Sequence, residues 1–124
     1  MKKKDIKILL VDDEQDILEI VGYNLSQEGY QIVTASNGRE AITKAKKELP
    51  QLIIMDVMMP GGNGMRALRA LKSTPVTAGI PVIITSGFNV PTQDECPQTQ
   101  ANHVLHKPFS HEQLLKAVNR LIPA

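Results

Sequence analysis

The chain contains 124 residues with a mass of 13.6 kDa, and this length predicts one compact domain with no room for a second. Its composition, 42% hydrophobic and 22% charged, excludes a disordered chain, a collagen and a low-complexity polymer. Fourteen Lys and Arg residues against thirteen Asp and Glu leave a net charge of +1, which excludes a protein that binds nucleic acid or a membrane surface through its overall charge.

Neither a disulfide framework nor a membrane segment is expected. The single cysteine, Cys96, has no partner within the chain, and no Cys/His cluster has the spacing of a zinc site. The basic residues 1–4 lead into an apolar run that Lys7 interrupts, and this pattern is neither a signal peptide nor a membrane span. We therefore expect a soluble, cytoplasmic domain that covers residues 1–124.

In the first half of the chain, short apolar runs alternate with segments of helical periodicity. Residues 8–11 predict a buried strand that ends at Asp12, and residues 30–35 predict a second strand. A first helix between them is expected to end at Gly29, and its apolar positions are Ile17, Leu18, Val21 and Leu25. After a turn at residues 37–38, a second helix presents Ala41, Ile42, Ala45 and Leu49 and ends before Pro50.

The second half continues the same alternation. Residues 52–55 predict a third buried strand that ends at Asp56, and residues 81–85 and 103–105 predict the fourth and fifth strands. A third helix with apolar residues Met65, Leu68 and Leu71 is expected to end before Pro75. Ser110 and Gln113 have the spacing of a capping box, which predicts the start of a last helix with the stripe Leu114, Leu115, Val118, Leu121 and Ile122.

Strands that are apolar on both faces and separated by helices predict an α/β domain. The sheet is expected to be parallel with helices on both sides, and right-handed crossovers make the fold doubly wound. In such sheets ligands bind beyond the carboxyl ends of the strands. The polar residues at those ends are therefore the candidates for a functional site: Asp12, Asp13, Asp56, Ser86 and Lys107.

Taken singly, each candidate has an ordinary explanation. Asp12 or Asp13 could cap the helix that follows, and Lys107 could be one of many solvated lysines. Three carboxylates gathered at one edge of a sheet, however, repel one another unless a cation neutralises them. Together with Lys107 they carry a net charge of −2, which a divalent ion cancels, and oxygen ligands suit Mg²⁺. A cation site beside a carboxylate and a lysine is suited to phosphoryl transfer.

Four segments of the chain carry a family resemblance. They are Val11-Asp12-Asp13-Glu14, Asp56-Val57-Met58-Met59-Pro60 with Gly64, residues 81–87, and Lys107-Pro108-Phe109. Together they resemble the receiver domain of two-component response regulators over essentially the whole chain. The resemblance implies a flavodoxin-like fold with a five-stranded sheet, as in the chemotaxis receiver, and a phosphorylation-dependent switch in a phosphorelay.

The resemblance also implies a role for each acidic residue. Asp56 would be the phosphoacceptor, which attacks phosphorus and holds an acyl phosphate. Asp13 would bind Mg²⁺ or Mn²⁺ directly and Asp12 largely through water. Asp56 itself and the backbone carbonyl of Met58 would complete the metal ligands.

The remaining site residues would respond to the phosphoryl group. Lys107 would pair with Asp56 before phosphorylation and with a phosphoryl oxygen afterwards, and a cis peptide to Pro108 would orient it. The switch hydroxyl is Ser86 by the count from Pro81, with Gly87 in the place of the small residue that follows it. Thr85 is the alternative hydroxyl, since neighbouring side chains of a strand point to opposite faces and only one of the two can face the site.

Two stretches depart from the family pattern. The position three residues before the lysine, often a switch aromatic in this family, is Val104 here, and this argues against aromatic coupling to the site. Residues 89–102, where a fourth helix would lie, contain Pro91 and Pro97 and few apolar residues. Because proline in a helix interior costs about 3 kcal/mol, we expect this helix to be short or irregular.

Two residues bear on the lifetime of the phosphoryl group. Met58 and Phe88 occupy positions that border the path of hydrolytic water in the family. Neither side chain can orient water by hydrogen bonding, and both can exclude it. The sequence therefore predicts a rather long-lived phosphoryl group.

The resemblance names a class of partner but not an individual one. A histidine kinase or a histidine phosphotransfer protein would donate the phosphoryl group, and the domain would be no enzyme beyond promoting its own phosphorylation and dephosphorylation. No DNA-binding segment follows residue 124, so we expect output through protein contacts, without direct nucleic-acid binding or membrane insertion.

The sequence leaves two alternatives to this function. One is a receiver-fold docking module that signals without phosphorylation, and the complete set of site residues argues against it. The other is a hydrolase of the haloacid dehalogenase type. That class needs a second Asp two residues after the nucleophile, where Met58 stands.

Overall fold

The structure, a computed structural model, describes residues 2–58, 64–87 and 101–122. Its five strands form one parallel sheet in the order β2-β1-β3-β4-β5. The strands are β1 (Lys7–Val11), β2 (Gln31–Ala35), β3 (Leu52–Asp56), β4 (Val82–Ser86) and β5 (His103–His106). The helices are α1 (Gln15–Gln27), α2 (Gly38–Glu48), α3 (Gly64–Ser73) and α4 (His111–Leu121), and a short 3-10 turn (Lys3–Asp5) precedes β1.

Alternation along the strands divides the hydrophobic core into two layers. Leu9 and Ile53 face α2 and α3 on one side of the sheet, while Ile8 and Ile54 face α1 and α4 on the other. Every residue of β3 and β4 is buried, as the apolar runs predict. Each fully buried aliphatic side chain contributes about 1.5–3 kcal/mol, so both layers stabilise the sheet. The doubly wound parallel architecture predicted from the sequence is confirmed.

The helix ends follow local sequence signals, with two differences from the prediction. Leu49 was predicted on the apolar stripe of the second helix, but it lies beyond α2 as its C-cap and is 52% exposed. Gly29 follows Glu28, the C-cap of α1, and has φ +107°, in the left-handed region that favours glycine. Residues 37–38 do not form a separate turn, because Asn37 caps α2 by accepting a hydrogen bond from the Glu40 N–H at 2.8 Å. The capping box at Ser110 and Gln113 is present, with reciprocal bonds of 3.0 and 2.8 Å.

The predicted short or irregular fourth helix at residues 89–102 lies outside the described residues, apart from Ala101 and Asn102. Ala101 is fully buried in the α2–α3 layer of the core. Asn102 exchanges two hydrogen bonds with Val82, of 2.8 and 3.0 Å, and so holds the start of β5 against β4. Among the helices that the structure describes, none combines the length and the hydropathy that crossing a bilayer requires.

Candidate functional site

Two aspartates are fixed at the carboxyl edge of the sheet by the backbone that follows them. Asp12 comes directly after β1, and its Oδ1 accepts a hydrogen bond from the Glu14 N–H at 2.9 Å. Asp56 is the last residue of β3, and its Oδ1 accepts from the Met58 N–H at 3.0 Å. Both residues are only 2% exposed. The same local turn therefore orients both carboxylates.

Asp13 completes an acidic cluster with these two residues. One carboxylate oxygen from each of Asp12, Asp13 and Asp56 lies within 4.8 Å of the others, and Asp13 is exposed while its partners are buried. Burial raises the pKa of the Asp12 carboxyl above its usual range, although the Glu14 N–H and the Lys107 charge oppose the shift. The charge of the buried Asp12 carboxylate is therefore incompletely compensated within the protein.

Lys107 is the cation that faces this cluster. Its Nζ lies 3.2 Å from Asp12 Oδ2 and 3.3 Å from Asp56 Oδ2. Burial alone would lower the pKa of the Lys107 amine, but the carboxylates of Asp12 and Asp56 outweigh it and raise that pKa. The lysine is thus held positively charged between two carboxylates.

The loop after β5 positions this lysine. The Lys107 N–H donates to the Ser86 carbonyl at 2.7 Å, which extends the pairing of β5 with β4 by one residue. The peptide bond from Lys107 to Pro108 is cis, as the resemblance implied.

The two candidate hydroxyls lie at the end of β4. Thr85 pairs in register with Asp56, so both side chains leave the sheet on the same face. Ser86 is fully buried, leaves by the opposite face, and stands one position nearer the carboxyl edge. Thr85 therefore shares a face of the sheet with Asp56, whereas Ser86 lies closer to the carboxyl edge of the sheet.

Gly64 holds the start of α3 against Asp56, a role that its place in the sequence motif did not indicate. Its N–H donates to the Val57 carbonyl at 3.1 Å. A Cβ built at Gly64 would come within 2.3 Å of the Asp56 carbonyl oxygen and 2.7 Å of Val57 Cα. Only glycine therefore lets α3 begin this close to Asp56. At Gly87, by contrast, an added Cβ meets nothing within 4 Å.

The remaining predicted positions surround the cluster less closely. The Met58 side chain is 60% exposed, so it stands at the solvent side of the site, whereas Phe88 lies outside the described residues. Val104 is half-buried and packs against the α2–α3 layer of the core.

An apolar groove of about 460 Å³ adjoins Lys107, and the sequence reasoning did not find it. Its walls are Ile17, Ile20, Val21, Lys107, Pro108 and Phe109. The available signal was Ile20, an apolar residue of α1 that lies off the buried stripe and is 60% exposed.

The chemistry of the acidic cluster fits a divalent cation. All the side-chain donors are carboxylate oxygens, two of them are buried, and one lysine leaves the set with a net negative charge. Hard oxygen ligands at one open edge are typical of Mg²⁺ sites that retain several waters. The residues present therefore suit Mg²⁺ better than a soft transition metal.

Comparison with known proteins agrees with this architecture. The chain is 35% identical to the protein PilH of Pseudomonas aeruginosa over 117 residues, which cover 94% of this chain and 97% of PilH. It spans only about half the length of several transcriptional regulators that it also matches.

Solved structures give the same result. The chemotaxis response regulator CheY4 of Vibrio cholerae superposes with a TM-score of 0.86 and 34% identity, covering 94% of this chain and 98% of that one. The receiver domain of the sensor histidine kinase PA1611 of Pseudomonas aeruginosa, described with a magnesium ion in its active-site cleft, superposes with a TM-score of 0.85 and 25% identity, covering 96% and 98%.

A family profile described as the response regulator receiver domain matches residues 8–119, which include the whole acidic cluster and the whole sheet except Lys7. Members of this family are signalling switches rather than metabolic enzymes. The chain thus belongs to the response regulator receiver domain family of two-component systems and serves phosphorylation-based signalling.

Proposed function

We propose that the chain acts as one receiver domain and that Asp56 is its phosphoacceptor. The observation that carries this proposal is the convergence of Asp12, Asp13 and Asp56 within 4.8 Å, with the Lys107 amine in contact with two of them. Asp12 and Asp56 have equivalent contacts with Lys107 and with a backbone N–H, and Asp56 is assigned as the nucleophile because it stands at the phosphoacceptor position of the family motif. No other described residues form an acidic cluster of this kind.

The phosphoryl donor is a phosphohistidine on a histidine kinase or a histidine phosphotransfer protein. A carboxylate oxygen of Asp56 attacks phosphorus, a P–O bond forms, the P–N bond breaks, and the electron pair returns to the imidazole nitrogen. The protein mainly positions groups and neutralises charge in such a transfer. Lys107 contributes a positive charge at the reacting group, because its Nζ lies 3.3 Å from Asp56 Oδ2.

The acidic cluster would hold Mg²⁺ or Mn²⁺ through Asp12, Asp13, Asp56 and the Met58 carbonyl. When bound, the ion supplies positive charge that stabilises the phosphoryl oxygens during transfer. The magnesium described in the PA1611 receiver supports this assignment. Asp13 is the most exposed of the three aspartates and therefore the entry point from solvent.

Phosphorylation would change the balance of charge at the carboxyl edge of the sheet. A phosphoryl group on Asp56 adds negative charge, which draws Lys107 and the hydroxyl of Ser86, or of Thr85, towards it. Val104 replaces the aromatic side chain through which many receivers couple this movement to their surface. Output would then pass through the β4–β5 edge without a rotating aromatic ring.

The domain would promote both its own phosphorylation and its own dephosphorylation. Hydrolysis requires water to attack the acyl phosphate and release inorganic phosphate, leaving the Asp56 carboxylate. Met58 stands beside Asp56 with an exposed apolar side chain that excludes water without orienting it. A long phosphoryl lifetime follows from this residue, together with Phe88.

The experiment that tests the phosphoacceptor is intact-mass measurement after incubation with Mg²⁺ and a small acyl phosphate. We expect one added phosphoryl group on the wild type and none on Asp56→Asn or in EDTA. Asp5→Asn, an exposed aspartate in the 3-10 turn, is the matched control and should be labelled like the wild type. Label on Asp56→Asn would move the nucleophile elsewhere, and no label on any protein would favour the docking module.

A further inference from the structure

Two strands of the sheet begin with the same arrangement of hydrogen bonds. Asn102, the residue before β5, donates its N–H to the Val82 carbonyl at 3.0 Å, and its side-chain Oδ1 accepts from the Val82 N–H at 2.8 Å. Gln51, the residue before β3, donates its N–H to the Lys7 carbonyl at 2.9 Å, and its Oε1 accepts from the Lys7 N–H at 2.6 Å. We name each reciprocal pair a carboxamide clasp, because the side chain completes the ladder at the point where the strand pairing starts.

The two clasped strands are those that carry Asp56 and Lys107 at their other ends. β3 ends on Asp56, and Lys107 follows β5 directly. The clasps therefore lie at the amino edge of the sheet, and the groups proposed for phosphoryl transfer lie at the carboxyl edge. Because the pairing of a strand fixes all its residues together, the register set at the first edge decides where the last residue leaves the sheet.

Strand β3 has other determinants of its register besides the clasp. It lies between β1 and β4, and all five of its residues are buried. Its apolar side chains fill both layers of the core. A slip of one residue would put the carboxylate of Asp56 where Met55 now packs, which the apolar layer strongly disfavours. The register of β3 is thus secured by packing.

Strand β5 is held much less firmly. Within the described residues it pairs with β4 alone, and none of its four residues is buried. Val104 packs against the α2–α3 layer and Leu105 against the α1–α4 layer, so each face of the strand has one apolar side chain. A strand with so little difference between its faces has a weakly specified register. Hydrogen bonds at its two ends must therefore supply the remaining specification.

The clasp at Asn102 supplies it at the amino edge. Val82 is fully buried, so its N–H would be left without an acceptor if Asn102 Oδ1 were removed. A buried donor without a partner is disfavoured more than the loss of an exposed hydrogen bond. Without the clasp, β5 would therefore slide or peel until that donor reaches another acceptor or water.

Small movements of β5 are enough to remove Lys107 from the acidic cluster. Its Nζ lies 3.2 Å from Asp12 Oδ2 and 3.3 Å from Asp56 Oδ2. A slip of one residue moves a strand by about 3.3 Å, as far as either contact is long, and turns its side chains to the opposite faces.

We propose that Asn102 is a positioning residue for Lys107. Its clasp fixes β5 against β4 at one edge of the sheet and thereby places the Lys107 amine at the other. Five positions of extended chain, about 16 Å, separate the two residues, so Asn102 acts only through the strand. The effect on phosphoryl transfer rests on the function proposed for Asp56 and Lys107, whereas the effect on the position of the strand does not.

Amide hydrogen exchange measured by NMR tests the position of the strand without any phosphoryl donor. In the wild type, the Val82 and Lys107 N–H groups should exchange with similar opening free energies, because both bridge β4 and β5 and are released when β5 peels away. Asn102→Ala should speed exchange at the Lys107 N–H about five-fold, as the loss of one neutral hydrogen bond implies.

Two further variants make this measurement specific. Asn102→Asp keeps an acceptor oxygen for the Val82 N–H, so exchange at the Lys107 N–H should stay near the wild-type rate. Gln51→Ala removes the equivalent side-chain bond from β3 and is the matched control, which should leave exchange at Lys107 unchanged. The wild-type comparison and Asn102→Asp decide the matter even if Asn102→Ala does not fold.

The initial rate of Asp56 labelling by a small acyl phosphate, with saturating Mg²⁺, tests the consequence for the site. Asn102→Ala should lower this rate by up to about 100-fold, as a displacement of about 1 Å at a reacting group can do. Asn102→Asp should restore most of the rate, and Gln51→Ala should keep it near the wild-type level. Urea denaturation shows how much stability each variant loses, so that a general loss of stability is recognised.

A double-mutant cycle with Lys107→Ala separates positioning from a structural role. In the Lys107→Ala protein, Asn102→Ala should lower the labelling rate no further, because the clasp acts through the lysine. A purely structural role would lower the rate by the same factor in both backgrounds.

Three results would overturn the proposal. The first is a wild type in which the Lys107 N–H exchanges much faster than the Val82 N–H, or an Asn102→Ala variant in which exchange is unchanged. The second is an equal loss of labelling in both backgrounds of the cycle. The third is an Asn102→Asp variant as impaired as Asn102→Ala. Failure of the proposed function looks different: Asp56→Asn would be labelled, or Lys107→Ala would be labelled like the wild type, while exchange at Lys107 would still depend on Asn102 and support its effect on the strand.

Discussion

At the scale of single residues, the site depends on buried charges that the protein only partly compensates. Asp12 and Asp56 are each 2% exposed and share one lysine. At Asp12 this burial costs stability in the metal-free protein, because it raises the pKa of the carboxyl and so favours the neutral form. The residues that would serve phosphoryl transfer are therefore expected to be unfavourable for folding, and substitutions there separate the two properties.

Asp12→Asn is expected to raise the free energy of unfolding of the metal-free protein. Burial raises the pKa of the Asp12 carboxyl in the folded state, so the native state binds its proton more tightly than the unfolded state does. Its contribution to stability is therefore present below the unfolded pKa and lost as the pH rises through the folded pKa. Urea denaturation in EDTA measures the free energies of unfolding of Asp12→Asn and the wild type. The excess of the variant over the wild type should grow with pH across that window, and an excess that stays constant with pH would contradict the argument.

Gly64→Ala is expected to destabilise the protein and to lower phosphorylation of Asp56. The new Cβ would lie 2.3 Å from the Asp56 carbonyl oxygen, so β3 or α3 must shift, at a cost of about 1–3 kcal/mol. Gly79→Ala, where a Cβ meets nothing within 4 Å, is the control and should change the unfolding free energy by less than about 1 kcal/mol. Equal effects of the two substitutions in chemical denaturation would show that packing against Asp56 is not the cause.

At the scale of elements, the ends of the strands decide which side chains reach the site. β1 and β3 each finish on an aspartate held by the N–H two residues later. β4 finishes on two adjacent hydroxyl residues that point to opposite faces. One strand end thus offers two chemically similar candidates for a single role.

Replacing each hydroxyl separately distinguishes these candidates. We expect Ser86→Ala to weaken the conformational response to phosphorylation about five-fold, the equivalent of one neutral hydrogen bond of about 1 kcal/mol. Thr85→Val, which keeps the shape of the side chain, should leave that response near the wild-type level. NMR spectra of the phosphorylated proteins measure the effect, and the reverse order would assign the switch to Thr85, which shares its face with Asp56.

At the scale of the whole molecule, the acidic cluster links metal binding to folding. Its three aspartates come from two strand ends on neighbouring strands, so they form a site only when β1 and β3 are paired. A ligand that binds only the native state stabilises it in proportion to the logarithm of its concentration. Binding of Mg²⁺ should therefore raise the free energy of unfolding of the whole domain.

Mg²⁺ is expected to raise the melting temperature of the wild type. At 100 times its Kd, the ion should add about 2.7 kcal/mol to the free energy of unfolding. Asp13→Asn should lose most of this increment while remaining folded, because Asp13 is exposed and its removal leaves the core intact. Differential scanning calorimetry with and without Mg²⁺ measures both proteins. A full increment in Asp13→Asn would place the ion elsewhere.

Much of the fold could be predicted because it rests on local patterns. The apolar runs of β1, β3 and β4 are too short for helices and lack polar alternation, which suffices for buried parallel strands. The capping box at Ser110 is equally local. At residues 37–38 the same local signals predicted a turn, whereas Asn37 became the cap of α2, because a turn residue and a helix cap use the same side-chain hydrogen bond.

The sequence by itself determined which residues gather at the carboxyl edge, since parallel strands align their ends whatever their packing. Tertiary structure alone decided that Lys107 divides its charge between Asp12 and Asp56, that Gly64 lies against Asp56, and that α1 packs on the opposite side of the sheet from α2 and α3. Those features depend on distances between residues far apart in the chain. Periodicity and spacing place a residue on an element and at its end, but they do not give the distances between side chains of different elements.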